Sequence, residues 1–216
     1  MRNKILSFCL LASVLAFGQT DSTVANHLWA KVGYKTKLST QVSLTASGQY
    51  RAKYSDQDHD QWLTNFDFKK ELSKKWDLGL ELRHYFIFDN QGGNQGTFQR
   101  FRTQINAQRH IQLPLGELHF RYAVQQRWII SGSGSNKFVA RLRGEYDLPI
   151  KNFKWDPTFQ AELLNISGDE PDQSLRLGIS TSNKIAGIKL QFGYFHQRDF
   201  SSVDPNRNVL QMGLRF

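Results

Sequence analysis

Glu117-Leu118-His119-Phe120-Arg121-Tyr122-Ala123-Val124-Gln125-Gln126-Arg127-Trp128-Ile129-Ile130 alternates almost without interruption. Leu118, Phe120, Tyr122, Val124, Trp128 and Ile130 share one face, and Glu117, His119, Arg121, Gln125 and Arg127 share the other. Gln126 is the polar exception on the apolar side. Period two is the signature of a strand, because successive side chains leave a pleated backbone on opposite faces. The stretch before it repeats the pattern. Phe101, Thr103, Ile105, Ala107 and Ile111 oppose Arg100, Arg102, Gln104, Asn106, Gln108 and His110, and Pro114-Leu115-Gly116 turns the chain between the two runs.

The same alternation extends outward in both directions. Leu28, Ala30, Val32 and Tyr34 form one face of a segment from His27 to Leu38; Val42, Leu44, Ala46, Tyr50 and Tyr54 do so from Gln41 to Tyr54. Trp62 to Leu72 and Trp76 to Phe88 follow, then, after the central hairpin, Phe138 to Leu148, Thr158 to Ile166, Leu175 to Ser182, Ile188 to Gln197 and Val209 to Phe216. Eleven segments read as strands, and none keeps a helical period over three turns. The fold class is all-β.

The first residues define a compartment. Arg2 and Lys4 precede an apolar run from Ile5 to Ala16, and Ala16-Phe17-Gly18 offers a small-x-small cleavage site. Residues 1–18 read as a secretory signal peptide, leaving 19–216 as one domain. The run is too short for a spanning helix, which needs roughly 20 residues. The only cysteine, Cys9, falls inside it, so disulfides, thiol catalysis and cysteine-ligated metal are excluded from the mature chain. The formal charge is +9; Arg2 and Lys4 account for two, leaving +7. An exported protein with its basic residues dispersed over strand faces is not read as a nucleic-acid binder.

Connections alternate in length. Those at 38–40, 73–75, 114–116, 149–154 and 183–187 are short, and those at 55–61, 89–97, 131–137, 168–174 and 201–208 are long and polar. Short turns on one rim and long loops on the other are the pattern of outer-membrane barrels. Aromatic residues on the apolar faces gather at both ends: Tyr34, Trp76, Tyr146 and Trp155 near the short turns, and Tyr54, Trp62, Phe88, Phe101 and Trp128 near the long loops. Aliphatic residues such as Leu44, Leu80, Ile105 and Leu142 fill the band between. Two girdles around an apolar band suit a bilayer with two interfaces, so the apolar faces are expected to point outward into lipid. A soluble periplasmic ligand-binding barrel, the alternative, would bury them inward.

A spanning sheet must close to satisfy its backbone, and bacterial barrels have even strand numbers. The expectation is therefore a closed antiparallel transmembrane β-barrel of about 12 strands (10–12), although only eleven are visible. A hidden strand, a miscounted segment or an odd barrel closed by a parallel pair would each resolve the mismatch.

The polar faces then line a lumen carrying Arg51, Glu81, Arg83, Arg100, Arg102, Arg121, Arg127, Arg141, Arg143, Glu145, Glu162 and Arg176. Such an interior either binds anionic solutes, as a narrow porin-like channel, or fills itself with cross-strand ion pairs and is mainly structural; the second reading is preferred. His110 and His119 straddle the Pro114 turn, and a two-residue loop would set them side by side. Two imidazoles offer a metal two ligands, but no third is evident, so no metal or other cofactor is assigned. Asp56, Asp58 and Asp60 resemble a calcium loop, yet Gln61 and Asp67 stand where the EF-hand needs glycine and glutamate. Outer-membrane lipid hydrolases place serine two residues after histidine on one strand face. None of His27, His59, His84, His110, His119 or His196 is followed that way, and no catalytic residues are assigned.

Trp29 with Tyr34, Gln49-Tyr50-Arg51, Arg100-Phe101-Arg102, Arg141-Leu142-Arg143 with Tyr146, Phe159-Gln160-Ala161-Glu162-Leu163 and a terminal Phe together resemble the uncharacterised outer-membrane barrels of domain-of-unknown-function family 2490. The resemblance implies a compartment, the Gram-negative outer membrane, and a fold, but no activity. Leu210, Met212, Leu214 and Phe216 look like the C-terminal signal read by the barrel assembly machinery. That machinery, outer-membrane lipid and lipopolysaccharide are the expected partners.

Overall fold

The computed structural model describes residues 24–53, 60–89, 96–132, 134–168, 172–200 and 206–216. The leader at 1–18, Tyr54, and Asp56 and Asp58 of the acidic run lie outside the described residues. Eleven strands follow one another: β1 (Val24–Lys37), β2 (Val42–Lys53), β3 (Gln61–Ser73), β4 (Trp76–Asp89), β5 (Gly96–Leu113), β6 (Gly116–Ser131), β7 (Lys137–Asp147), β8 (Pro157–Ser167), β9 (Asp172–Ile185), β10 (Ile188–Asp199) and β11 (Asn206–Arg215). Each pairs antiparallel with the next, and β1 pairs with β11 to close the sheet into a barrel.

Closure corrects the expected twelve antiparallel strands. With eleven, the first and last run in the same direction, so the seam is parallel, Val24 opposite Asn206 through Gly33 opposite Arg215. Phe216 extends it: its N–H donates to Gly33 O and its carbonyl accepts from Lys35 N–H, both at 3.0 Å. No edge remains among the described strands for a twelfth to join.

The short turns lie on one rim. Ser39 Oγ accepts from the amides of Gln41 and Val42 between β1 and β2, and Ser73 Oγ accepts from Lys75 between β3 and β4. Pro114-Leu115 joins β5 to β6, with Leu113 opposite Gly116. Ala186 and Gly187 join β9 to β10 with φ of 50° and 88°. Two consecutive positive φ angles twist a two-residue hairpin in the sense its strands require. The β7–β8 connection, residues 148–156, is the longest on that rim.

The barrel is apolar outside. Thirty large apolar side chains are exposed among the described residues, including Tyr34, Trp62, Ile105, Leu142 and Leu177, whereas only seven apolar residues are buried. This inverts the usual distribution, in which apolar side chains leave water for the core. The buried seven all face inward, and six of them, Leu63, Ile87, Val139, Leu164, Phe195 and Val209, sit toward the long-loop ends of their strands.

Candidate functional site

The interior has three levels, each set by the period-two alternation of strands paired in fixed register. A charged layer occupies the middle. Glu81 on β4 sits opposite Gln104 on β5 and is gripped by Arg102, by Arg83 at 2.7 Å and by Gln104 at 3.2 Å. Glu162 on β8 lies opposite Arg176 on β9 and receives Arg141 at 2.6 Å and Arg176 at 3.2 Å. Arg141 also donates to Gln104 Oε1 at 2.9 Å, so the two carboxylate clusters form one network across the lumen. Arg143 bonds Glu145 and, at 2.7 Å, Gln160. Arg176 continues through Gln197 to Asp199.

These side chains surround a cavity of about 590 Å³. Its lining includes Lys31 and ten arginines, namely Arg51, Arg83, Arg100, Arg102, Arg121, Arg127, Arg141, Arg143, Arg176 and Arg207, against three carboxylates, Asp67, Glu81 and Glu162. Ion pairs therefore cannot neutralise the interior. Arg51 is held by Gln49 and lies 3.7 Å above the Trp29 ring. Among the described residues, Arg100, Arg121 and Arg127 form no ion pair with a carboxylate. Of the charged residues read from the sequence, all line the cavity except Glu145, which sits beside Arg143 on the short-turn side.

The long-loop level mixes a layer of apolar side chains with the buried polar His27, Ser174, Gln197 and Asp199. Leu63, Ile87, Val139, Leu164, Phe195 and Val209 pack inward there, Phe195 meeting Trp29 at 5.2 Å between ring centroids. Sequence reading missed this layer because each residue stands alone on an otherwise polar face. The signal was present in one respect: all six lie close to the same rim.

The short-turn level holds His110 and His119, which face each other across β5 and β6 as the two-residue loop required. Their Nδ1 atoms are 2.8 Å apart, and Glu117, two residues before His119 and on the same face, reaches within 3.3 Å of His110. Glu117 was the residue that sequence reading overlooked, although its spacing to His119 put both on one side of β6.

Among the described residues, the aromatic side chains read as girdles lie on the outer faces. Phe101 stacks on Trp128 at 5.9 Å, Trp155 meets Phe192 at 5.8 Å, and Tyr146 Oη donates to the carbonyl of Leu115 across the turn rim. Trp62 packs against Tyr50, and Arg109 lies over Trp76. Tyr34 and Phe216 are more than half exposed, and Phe88 is partly exposed. Leu210, Met212 and Leu214 continue the apolar exterior on β11.

Fold and interior together define a closed β-barrel with an apolar outside and a cationic inside. The chain belongs to the family described as Protein of unknown function (DUF2490), whose profile matches residues 26–208. No curated protein matches it.

Proposed function

We propose that this protein is an integral β-barrel of the Gram-negative outer membrane, exported by its leader, whose arginine-rich interior takes up small anions. The observation that carries the membrane reading is the exposed apolar exterior, thirty large side chains against seven buried apolar residues. Water penalises such a surface at roughly 25 cal/mol per Å² of apolar area, whereas lipid does not. The girdle residues and the closed ladder, which leaves no strand edge facing lipid, point the same way. Leu210 to Phe216 supply an address for the assembly machinery, and lipid and lipopolysaccharide are the partners of the outer surface. We assign the barrel no catalytic step.

The cationic surplus of the cavity supports anions as the solute class, because unpaired guanidinium groups in a confined space raise the local anion concentration. The six apolar side chains buried at the long-loop end, packed beside buried His27, Ser174, Gln197 and Asp199, favour a second reading, a plugged barrel that is structural alone.

Fractionation tests the membrane reading: the protein should travel with outer membranes and change electrophoretic mobility on heating, and recovery in the soluble periplasm would sink it. Planar-bilayer recordings of refolded protein separate the two interiors. Current with a reversal potential favouring anions under a salt gradient supports uptake. A closed trace supports the plug.

A further inference from the structure

We propose that His110, His119 and Glu117 form a binding site for a divalent transition-metal ion, of which zinc is the representative, at the short-turn rim of the barrel. The inference rests on the β5–β6 hairpin and its neighbours and does not depend on the barrel being in a membrane.

The hairpin register sets the two histidines directly opposite each other, with ring centroids 4.8 Å apart and planes at 83°. His110 Nε2 lies 2.5 Å from Asp77 Oδ2, and His119 Nε2 lies 3.0 Å from Asp147 Oδ2. An ionised carboxylate only accepts hydrogen bonds, so both Nε2 atoms carry the proton. In the neutral rings that leaves each Nδ1 with a lone pair, and these two lone pairs face each other at 2.8 Å. Glu117 Oε1, a third acceptor, stands 3.3 Å from one Nδ1 and 3.8 Å from the other. Three acceptors converging on one point repel unless a cation lies between them. A proton bridges only two atoms; a metal ion takes all three.

The dimensions suit such an ion. Zinc bonds of roughly 2.0–2.1 Å in a tetrahedron hold ligand atoms about 3.3 Å apart, and the three separations here, 2.8, 3.3 and 3.8 Å, bracket that value. Two imidazoles and one carboxylate favour zinc and its neighbours over calcium or magnesium, which require mainly oxygen ligands. Three protein ligands leave a fourth position for water or a solute donor.

The surroundings are those of a metal site. A carboxylate behind each histidine fixes the tautomer and makes the ring a better ligand. Each is anchored in turn, Asp77 by Lys69 Nζ at 2.6 Å and Asp147 by the Thr158 hydroxyl at 2.5 Å. Strands β3, β4, β7 and β8 thus hold the rings of β5 and β6 in place. The two histidine side chains are 18% and 13% exposed and Glu117 36%, so an ion has access from solvent.

The test uses the full chain refolded in detergent, stripped with chelator and titrated with Zn²⁺ alone by calorimetry. One ion per folded chain is expected, and Co²⁺ in its place should give the intense visible bands of tetrahedral coordination. His110→Ala with His119→Ala should abolish this uptake, whereas His84→Ala with His196→Ala should leave it intact. Asp77→Asn and Asp147→Asn should each weaken it by about 10–100-fold. If the alanine pair fails to show heat-modifiable mobility, His110→Gln with His119→Gln replaces it. A flat isotherm for folded wild-type protein, as a pair joined by a shared proton would give, overturns the proposal. So does uptake that persists in the folded double-histidine variant.

Discussion

Glu162 shows what a single side chain contributes to this interior. It is buried and holds Arg141 and Arg176 together, so its loss leaves two guanidinium groups facing each other with no anion between them. Removing one partner of a buried ion pair costs about 3–5 kcal/mol, because the remaining charge is left desolvated and unpaired. Glu162→Ala should therefore lower the urea stability of refolded barrels by about that amount, and a change below 1 kcal/mol would mean that water already screens the cluster. Ala186 carries strain of another kind. Its φ of 50° brings Cβ against the carbonyl, a conformation that costs an ordinary residue about 1–2 kcal/mol. Asn-Gly is the preferred pair for such a turn, so Ala186→Asn should raise stability by about 0.5–1 kcal/mol in the same assay.

At the scale of the element, the pair β1–β11 differs from the rest. It is the only parallel pair in the described sheet, and parallel ladders are slightly less stable per residue than antiparallel ones. Phe216 adds two backbone hydrogen bonds to it, and its exposed ring extends the apolar exterior. Phe216 is thus the last rung of the closing seam and, on the proposed reading, also the end of an assembly signal. Phe216→Ala should lower the amount of heat-modifiable protein in outer membranes. Refolding the same variant in detergent separates the duties: normal refolding with low yield in cells isolates the signal. The two faces of the β5–β6 hairpin were legible residue by residue, and the pairing of His110 with His119 was legible on the condition, met in the structure, of a two-residue turn. Its carboxylate supports were not, since Asp77 and Asp147 come from strands whose register only the closed sheet defines.

For the whole molecule, polarity is the controlling property. Leu142 lies at the centre of β7, faces outward and is 49% exposed. On a water-exposed surface Leu142→Arg would be nearly neutral. On a lipid-facing surface at mid-depth an arginine costs about 2–4 kcal/mol. Urea unfolding of the refolded variant in lipid vesicles should show that loss, and a change within about 0.5 kcal/mol would count against the membrane reading. The same polarity leaves the interior with more arginine than carboxylate, and the chemistry we propose for it is therefore anion binding at mid-barrel and cation binding at the turn rim.

Alternation is a local property of the chain, because a pleated backbone sends neighbouring side chains to opposite faces wherever it runs. The sequence alone therefore determined the strands, their two faces, the alternation of short and long connections, and the arginines that would share a surface. Tertiary structure decided the rest. Eleven strands were already countable, but that they close through a parallel seam without a twelfth follows from the pairing of β1 with β11 at opposite ends of the chain, which no local pattern encodes. The inward apolar layer at one rim and the meeting of Glu117 with two supported histidines likewise need several strands in register at once. Sequence spacing places a residue on a face. Only closure of the sheet sets which residues of other strands meet it there.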